Sequence, residues 1–289
     1  LYWESTIDNY QAIPVVKESQ GATQQDMVEY KNVLDEEHTS LLLTEIHKSY
    51  ATEINDILLS CLAQTINQWS SHTKILIGLE GHGREDIARH VDISNTIGWF
   101  TNLYPVSLAI ENDISSEHLI KSVKEQLRSI PDKGLGYGAL KYLNSSQEVR
   151  DRLSKTPWDI VFNYLGQFDS SVSSDTENDK DWFSGAEEFS GQQVGGKTPT
   201  NSKLEINCSV VEKVLTIHWS FSSKAYETTT IEELANKFLD NLKSLIIHCK
   251  EKKSTDLTPS DYGLGKDVGY QELDEFFDEE LDSEEIFKF

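Results

Sequence analysis

Lys74-Ile-Leu-Ile-Gly-Leu-Glu-Gly-His-Gly-Arg-Glu85 is the stretch on which the reading of this chain turns. Lys74 to Leu79 reads as a buried strand that delivers the chain to Glu80. The glycines on either side of His82 let the backbone turn sharply while side chains project into a cleft. A carboxyl group on a rigid strand end beside apolar residues has its charged form disfavoured. That raises its pKa toward the range useful to a general base. The plainer alternative is a polar strand-to-loop turn in which Arg84 pairs with Glu80 or Glu85 in solvent. His82 has no second His or Cys at i+2 or i+4, which argues against zinc.

Working outward, residues 27–34 read as a strand, and Asp35 starts a helix expected to run to about Tyr50. Thr52 is the expected cap of the next helix, whose stripe is Ile54, Ile57, Leu58, Cys61, Leu62, Ile66 and Trp69. Strands are expected at 104–110 and 158–164, with a helix from about 115 to 130 between them. Leu204, Ile206, Cys208 and Val210 alternate, as do Leu215, Ile217, Trp219 and Phe221, with Glu212-Lys213 at the turn. This is an antiparallel hairpin with one buried face. Thr230 is the expected cap of a last core helix along Ile231, Leu234, Phe238, Leu242 and Leu245. Strand alternating with helix predicts an α/β layered sandwich.

Three further segments are candidates for chemistry. In Phe162-Asn-Tyr-Leu-Gly-Gln-Phe-Asp169, a strand ending in Asn, Tyr, Gln and Asp places neutral hydrogen-bonding groups where they could hold a carbonyl or a developing enolate. Such residues more often only cap a strand. Pro131-Asp-Lys-Gly-Leu-Gly-Tyr-Gly138 does not match a dinucleotide-binding glycine pattern, and reads as a loop leading into a helix at 139–143. The aromatic density of Thr96 to Val106 suggests core or a pocket wall.

With 49 Asp and Glu against 26 Lys and Arg, the net charge of −23 repels phosphate backbones, so no nucleic-acid partner is expected. No run reaches the roughly 18 apolar residues of a membrane helix, and no membrane partner is expected. Cys61, Cys208 and Cys249 are too scattered for a disulfide framework or a zinc site, which points to the cytoplasm. Residues 167–202 are expected to form a long mobile loop. The globular part is expected to end near Lys253, followed by an acidic tail, 254–289. Within 267–289, ten acidic residues face the single Lys288, and Leu273, Phe276, Phe277 and Leu281 form a helical stripe. That much charge is expected to keep such a helix off its own acidic domain, and the stripe favours a docking tail over a disordered solvating one.

Taken in order, Glu80–Glu85, Thr96–Val106, Pro131–Gly138 and Phe162–Asp169 resemble the successive signature motifs of epimerization domains of non-ribosomal peptide synthetases. Asn55-Asp-Ile-Leu-Leu59 resembles the helix motif that precedes them, so the resemblance runs from about residue 27 through Asp261. It implies a chloramphenicol acetyltransferase-like layered sandwich in which 27–253 is the C-terminal lobe of a two-lobed domain. It also implies inversion at Cα of an aminoacyl or peptidyl thioester, without ATP or pyridoxal phosphate. On the same resemblance no cofactor is expected to bind directly, and the substrate is expected to ride on the phosphopantetheine of an upstream peptidyl carrier domain. By the same resemblance Glu80 is the catalytic acid/base, with Arg84, Asn163 and Tyr164 in supporting roles of orientation and hydrogen bonding near the enolate.

The family's His-His-x-x-x-Asp-Gly motif is absent, since none of the eight histidines is adjacent to another. An N-terminal lobe is therefore expected as a separate partner, with 1–26 as the linker that follows it, and this chain is expected to be inactive alone. The chain starts at Leu1 with neither an initiator Met nor a signal-peptide pattern, consistent with a start inside a longer polypeptide. The acidic tail 267–289 resembles the segment through which such synthetases meet the next enzyme in the line, making a downstream synthetase a further expected partner. A condensation domain that forms peptide bonds and a non-catalytic docking module are the competing readings.

Overall fold

The hairpin is the seed of the sheet. The computed structural model describes residues 2–17, 21–85, 92–93, 95–154, 158–168, 191, 194–264 and 268–274. In it β5 (Leu204–Val211) and β6 (Val214–Ser222) pair antiparallel, and the turn residues Glu212 and Lys213 both take positive φ. That twist suits a two-residue hairpin loop. β1 (Met27–Leu34) adds antiparallel to β6, while β4 (Ile160–Gln167) adds parallel to β5. β2 (Lys74–Gly81) then pairs parallel with β4 and antiparallel with the edge strand β3 (Asn102–Ala109). The six-stranded order is β1-β6-β5-β4-β2-β3.

Side chains on successive strand residues point to opposite faces, and residues paired across strands share a face. Leu79, Phe162, Ile206 and Trp219 therefore belong to the core face, and all four are buried. Against that face lie α3 (Ile54–Ser70) and α7 (Thr228–Glu251), which pack on each other. α2 (Glu36–Thr44) rests on α7 and β6, and α4 (Ser116–Arg128) on α3 and β3. Cys61, Cys208 and Cys249 are buried thiols within these layers.

Several boundaries move from their expected places. α2 stops at Thr44 and a 3-10 turn, Ile46–Ser49, follows. α3 is started by Glu53 rather than Thr52: the Asp56 carboxylate accepts from the Glu53 N–H, while the Thr52 N–H closes the preceding turn on the His47 carbonyl. α7 begins at Thr228, two residues before the expected cap, with Glu227 as its flanking residue. The helix after the Gly-rich loop, α5 (Leu135–Leu143), starts four residues earlier than expected, directly after the 3-10 turn Pro131–Gly134. α6 (Gln147–Leu153) follows it.

Of residues 1–26, expected as a linker, 2–17 and 21–26 run along the domain. α1 (Tyr2–Ile7) buries Trp3 against Tyr137 at 5.3 Å between ring centroids, and Ile13 donates its N–H to Asp159. Of the expected loop 167–202, residues 169–190 and 192–193 lie outside the described residues. Residues 194–202 are tied to the 3-10 turn Gln24–Asp26: Gln24 and Gln25 donate to the carbonyls of Thr198 and Gly196. Of Thr96–Val106, expected in core or a pocket wall, Tyr104 and Val106 are buried and Thr101, Asn102 and Leu103 line a cleft, but Ile97 and Trp99, in the loop before β3, are almost fully exposed, at 99% and 91%.

Contacts also continue past Lys253. The 3-10 turn Pro259–Tyr262 brings Asp261 to 2.5 Å from the fully buried Lys124 of α4. A helical turn at 270–274 buries Leu273 and sets Asp274 2.9 Å from Lys121. The described part of the tail, 254–264 and 268–274, thus packs on its own domain, because α4 presents buried ammonium groups to it. The rest of the predicted stripe, Phe276, Phe277 and Leu281, lies outside the described residues. No helix among the described residues is long and apolar enough to cross a membrane.

Candidate active site

Glu80 lies within β2, one residue short of its end, on the face opposite the helices. The pairing Gly78↔Val161 and Leu79↔Phe162 carries the register on to set Glu80 beside Asn163. The Asn163 amide donates to Oε2 of Glu80 at 2.7 Å, the one side-chain hydrogen bond Glu80 makes among the described residues. One strand further, Asn163 faces Asn207 and Val161 faces Glu205. The sheet's open face thus carries a polar row, Glu80, Asn163, Asn207 and His218, crossing from β2 to β6.

This row borders a cleft of about 640 Å³ lined by Glu80, Leu103, Tyr137, Trp158, Lys141 and Glu205, among others. Its walls are aromatic and its floor is polar, as small-molecule sites commonly are. Burial pushes the Glu80 carboxyl above the usual carboxylate range, and the like charge of Glu205 adds to the shift. Burial likewise pushes Tyr137 to about 12, and its hydroxyl is buried with no hydrogen-bond partner among the described residues.

Trp158 lies flat on Gly78, where a Cβ would come within 2.6 Å of the indole. Gly78→Ala is therefore expected to push Trp158 out of the cleft wall and cost about 1–3 kcal/mol, measurable by urea unfolding and by a change in Trp fluorescence. The turn after β2 depends on Gly83, which takes φ +66° with the Phe100 carbonyl where a side chain would stand.

Arg84 pairs with neither Glu80 nor Glu85. Its guanidinium donates to the carbonyls of Ile93, Thr96 and Gly98 and lies over the Phe100 ring at 4.2 Å, so it organises the loop leading into β3. Glu85 instead meets His82 at 3.0 Å and Lys133 at 3.1 Å. Tyr164, next to Asn163, belongs to the other face: it pairs with buried Cys208 and packs against the core, where burial raises its pKa. Of the four residues singled out in the sequence, the fold brings Glu80 and Asn163 together and sends Arg84 and Tyr164 elsewhere. Glu205 and Asn207 were not singled out. The alternation of Leu204, Ile206 and Cys208 implied them, since whatever lies between buried strand residues faces the other way.

Comparison with known proteins bears on this cleft. The condensation-domain family matches residues 1–263. Surfactin synthase subunit 2 of Bacillus subtilis (strain 168) is 42% identical over 96% of the chain, and bacitracin synthase 3 of Bacillus licheniformis is 36% identical over 95%. The chain spans only 7% and 4% of those two proteins. Among solved structures, the epimerization domain from the third module of tyrocidine synthetase B superposes with a TM-score of 0.75 at 33% identity, over 86% of this chain and 54% of that one. A four-domain non-ribosomal peptide synthetase bound to AMP and glycine shares the fold, with a TM-score of 0.60 at 15% identity over 87% of this chain and 19% of that one.

Proposed function

Because the chain belongs to the condensation-domain family of non-ribosomal peptide synthetases, we propose that it is the lobe of an epimerization domain that carries the proton-transferring carboxyl group. The substrate in this reading is an aminoacyl or peptidyl thioester on the phosphopantetheine of a carrier domain. Its thioester acidifies Cα–H, because the electron pair left behind spreads onto the thioester oxygen as an enolate. Glu80 takes the proton from Cα on one face while an acid supplied by the other lobe delivers one to the opposite face, which inverts the centre; in the reverse direction the two groups exchange roles.

The observation that carries the reading is the Glu80–Asn163 pair at 2.7 Å in a cleft that raises the Glu80 pKa. Asn163 fixes one carboxylate oxygen and leaves the other for the substrate's proton. A raised pKa suits a group that must both accept and donate near neutral pH. Arg84 and Tyr164 act as positioning residues, the first by holding the loop before β3 and the second by anchoring β4 in the core. The exposed Ile97 and Trp99 on that loop offer an apolar surface that a second lobe would cover.

The test is exchange of the Cα proton of a carrier-bound aminoacyl thioester in deuterated water, with the complete two-lobed domain. Exchange followed by L-to-D conversion supports the reading. Peptide-bond formation without exchange would instead make this a condensation domain. In the same assay Asn163→Ala is expected to lower exchange by roughly 10²-fold, as for removal of one preorganised hydrogen-bond donor.

A further inference from the structure

Two carboxyl groups, Glu80 and Glu205, line the same cleft. They lie on either side of β4, on the same face of the sheet: Glu205 is level with Val161 and Gly78, and Glu80 is two residues further along β2. Glu205 is fixed from within its own segment, since the Ser202 hydroxyl donates to its Oε1. It is therefore a charge of defined position rather than a swinging surface side chain.

Resting on the proposed role of Glu80, we infer that Glu205 is a positioning residue for the reaction, an electrostatic partner whose like charge adds to the effect of burial in delaying the loss of the Glu80 proton as pH rises. The charge acts across a partly buried cleft, where screening by water and salt is weaker than at the surface. The direction of the effect agrees with the elevated pKa of Glu80, to which burial contributes most and Glu205 next.

The other titratable groups facing Glu80 come from α5 and from the turn after β2. α5 supplies Tyr137, Tyr142 and the cation Lys141, whose ammonium lies 5.7 Å and 5.5 Å from the centres of those two rings. After β2, His82 and Glu85 pair with each other, and Glu85 also with Lys133. Beyond Glu205 the row continues to Ser220 and then Glu29, which is bound to His218 at 2.6 Å and lies outside the cleft lining.

Removing the charge while keeping the shape separates this role from a structural one. Glu205→Gln retains an acceptor for Ser202, and Glu29→Gln removes an equal charge from the same face outside the cleft. The titration midpoint of the Glu80 carboxyl carbon, read by NMR on selectively labelled protein, is expected to fall in Glu205→Gln and to stay in Glu29→Gln. In the complete domain, the acid limb of the proton-exchange rate is expected to move to lower pH by the same amount. An unmoved midpoint in Glu205→Gln, or an equal fall in Glu29→Gln, overturns the inference. Failure of the proposed role of Glu80 shows separately, as undiminished exchange in Glu80→Gln, whereas the NMR midpoint reports the coupling of Glu205 to Glu80 without any turnover.

Discussion

Glu80→Gln is expected to lower Cα proton exchange in the complete domain by about 10²–10⁴-fold, the usual contribution of a positioned acid/base. The amide keeps the volume, and its oxygen can still accept from Asn163 as the carboxylate does at 2.7 Å. It cannot take up a proton at working pH. The fold should not suffer, and the sign of the pKa shift says why. Because the folded-state pKa of Glu80 is raised, by burial first, the native state binds its proton more tightly than the unfolded chain does. Ionised Glu80 thus costs stability, and this cost appears as pH rises from the ordinary carboxylate pKa through the elevated one. At neutral pH the Gln variant should melt no lower than wild type, and any advantage should fade on acidification. Near-normal exchange in Glu80→Gln, or a large drop in its melting temperature, would make Glu80 a structural residue.

Asp261→Ala should produce a large loss of stability, about 3–5 kcal/mol, because among the described residues it leaves the buried ammonium of Lys124 with only the Tyr50 carbonyl at 2.7 Å. In the wild type Asp261 also accepts from the Thr258 N–H at 2.8 Å, tying the chain after Lys253 to α4. Cutting the chain after Lys253 should cost less for this one contact, since water can then reach Lys124. It also strips Asp256 and Asp274 from Lys121 and uncovers the surface beneath Leu273. Cutting after Asp274 keeps all of these contacts. By urea unfolding, Asp261→Ala and the cut after Lys253 should both fall well below wild type, and the cut after Asp274 should be spared these losses.

A pH series tests whether the ion pair is what fastens this segment. Although burial pushes the Asp261 carboxyl up, Lys124 and the Thr258 N–H together hold it below its ordinary value. Its contribution is therefore present above the unfolded carboxylate pKa of about 4 and is lost as pH falls through the lowered one. The gap between wild type and Asp261→Ala should narrow in acid. A gap that is constant with pH would mean that the ion pair is not what fastens this segment.

Hydrophobic period determined the layers of this protein, because burying a stripe or an alternating face is the dominant gain on folding and leaves its mark residue by residue. The 204–222 hairpin, the α3 stripe and the strand leading to Glu80 are legible for that reason, and an ordered set of short motifs was specific enough to point to the family. The sequence also singled out Glu80 and Asn163 as separate candidates. Their pairing is different in kind: the two residues are 83 positions apart and meet because β2 and β4 lie parallel in one register, which no local pattern encodes. The same register brings Glu205 and Asn207 into the cleft and, through the alternation of β4, turns Tyr164 away from it. Arg84 found carbonyl partners in a loop whose course is set by Gly83 and Phe100 rather than by its own neighbours in sequence. The acidic end of the chain shows the same limit. Its charge alone argued against docking on an acidic domain, but electrostatic energy depends on which charges meet and how far they are buried, and only the packed structure places Lys121 and Lys124 beneath it.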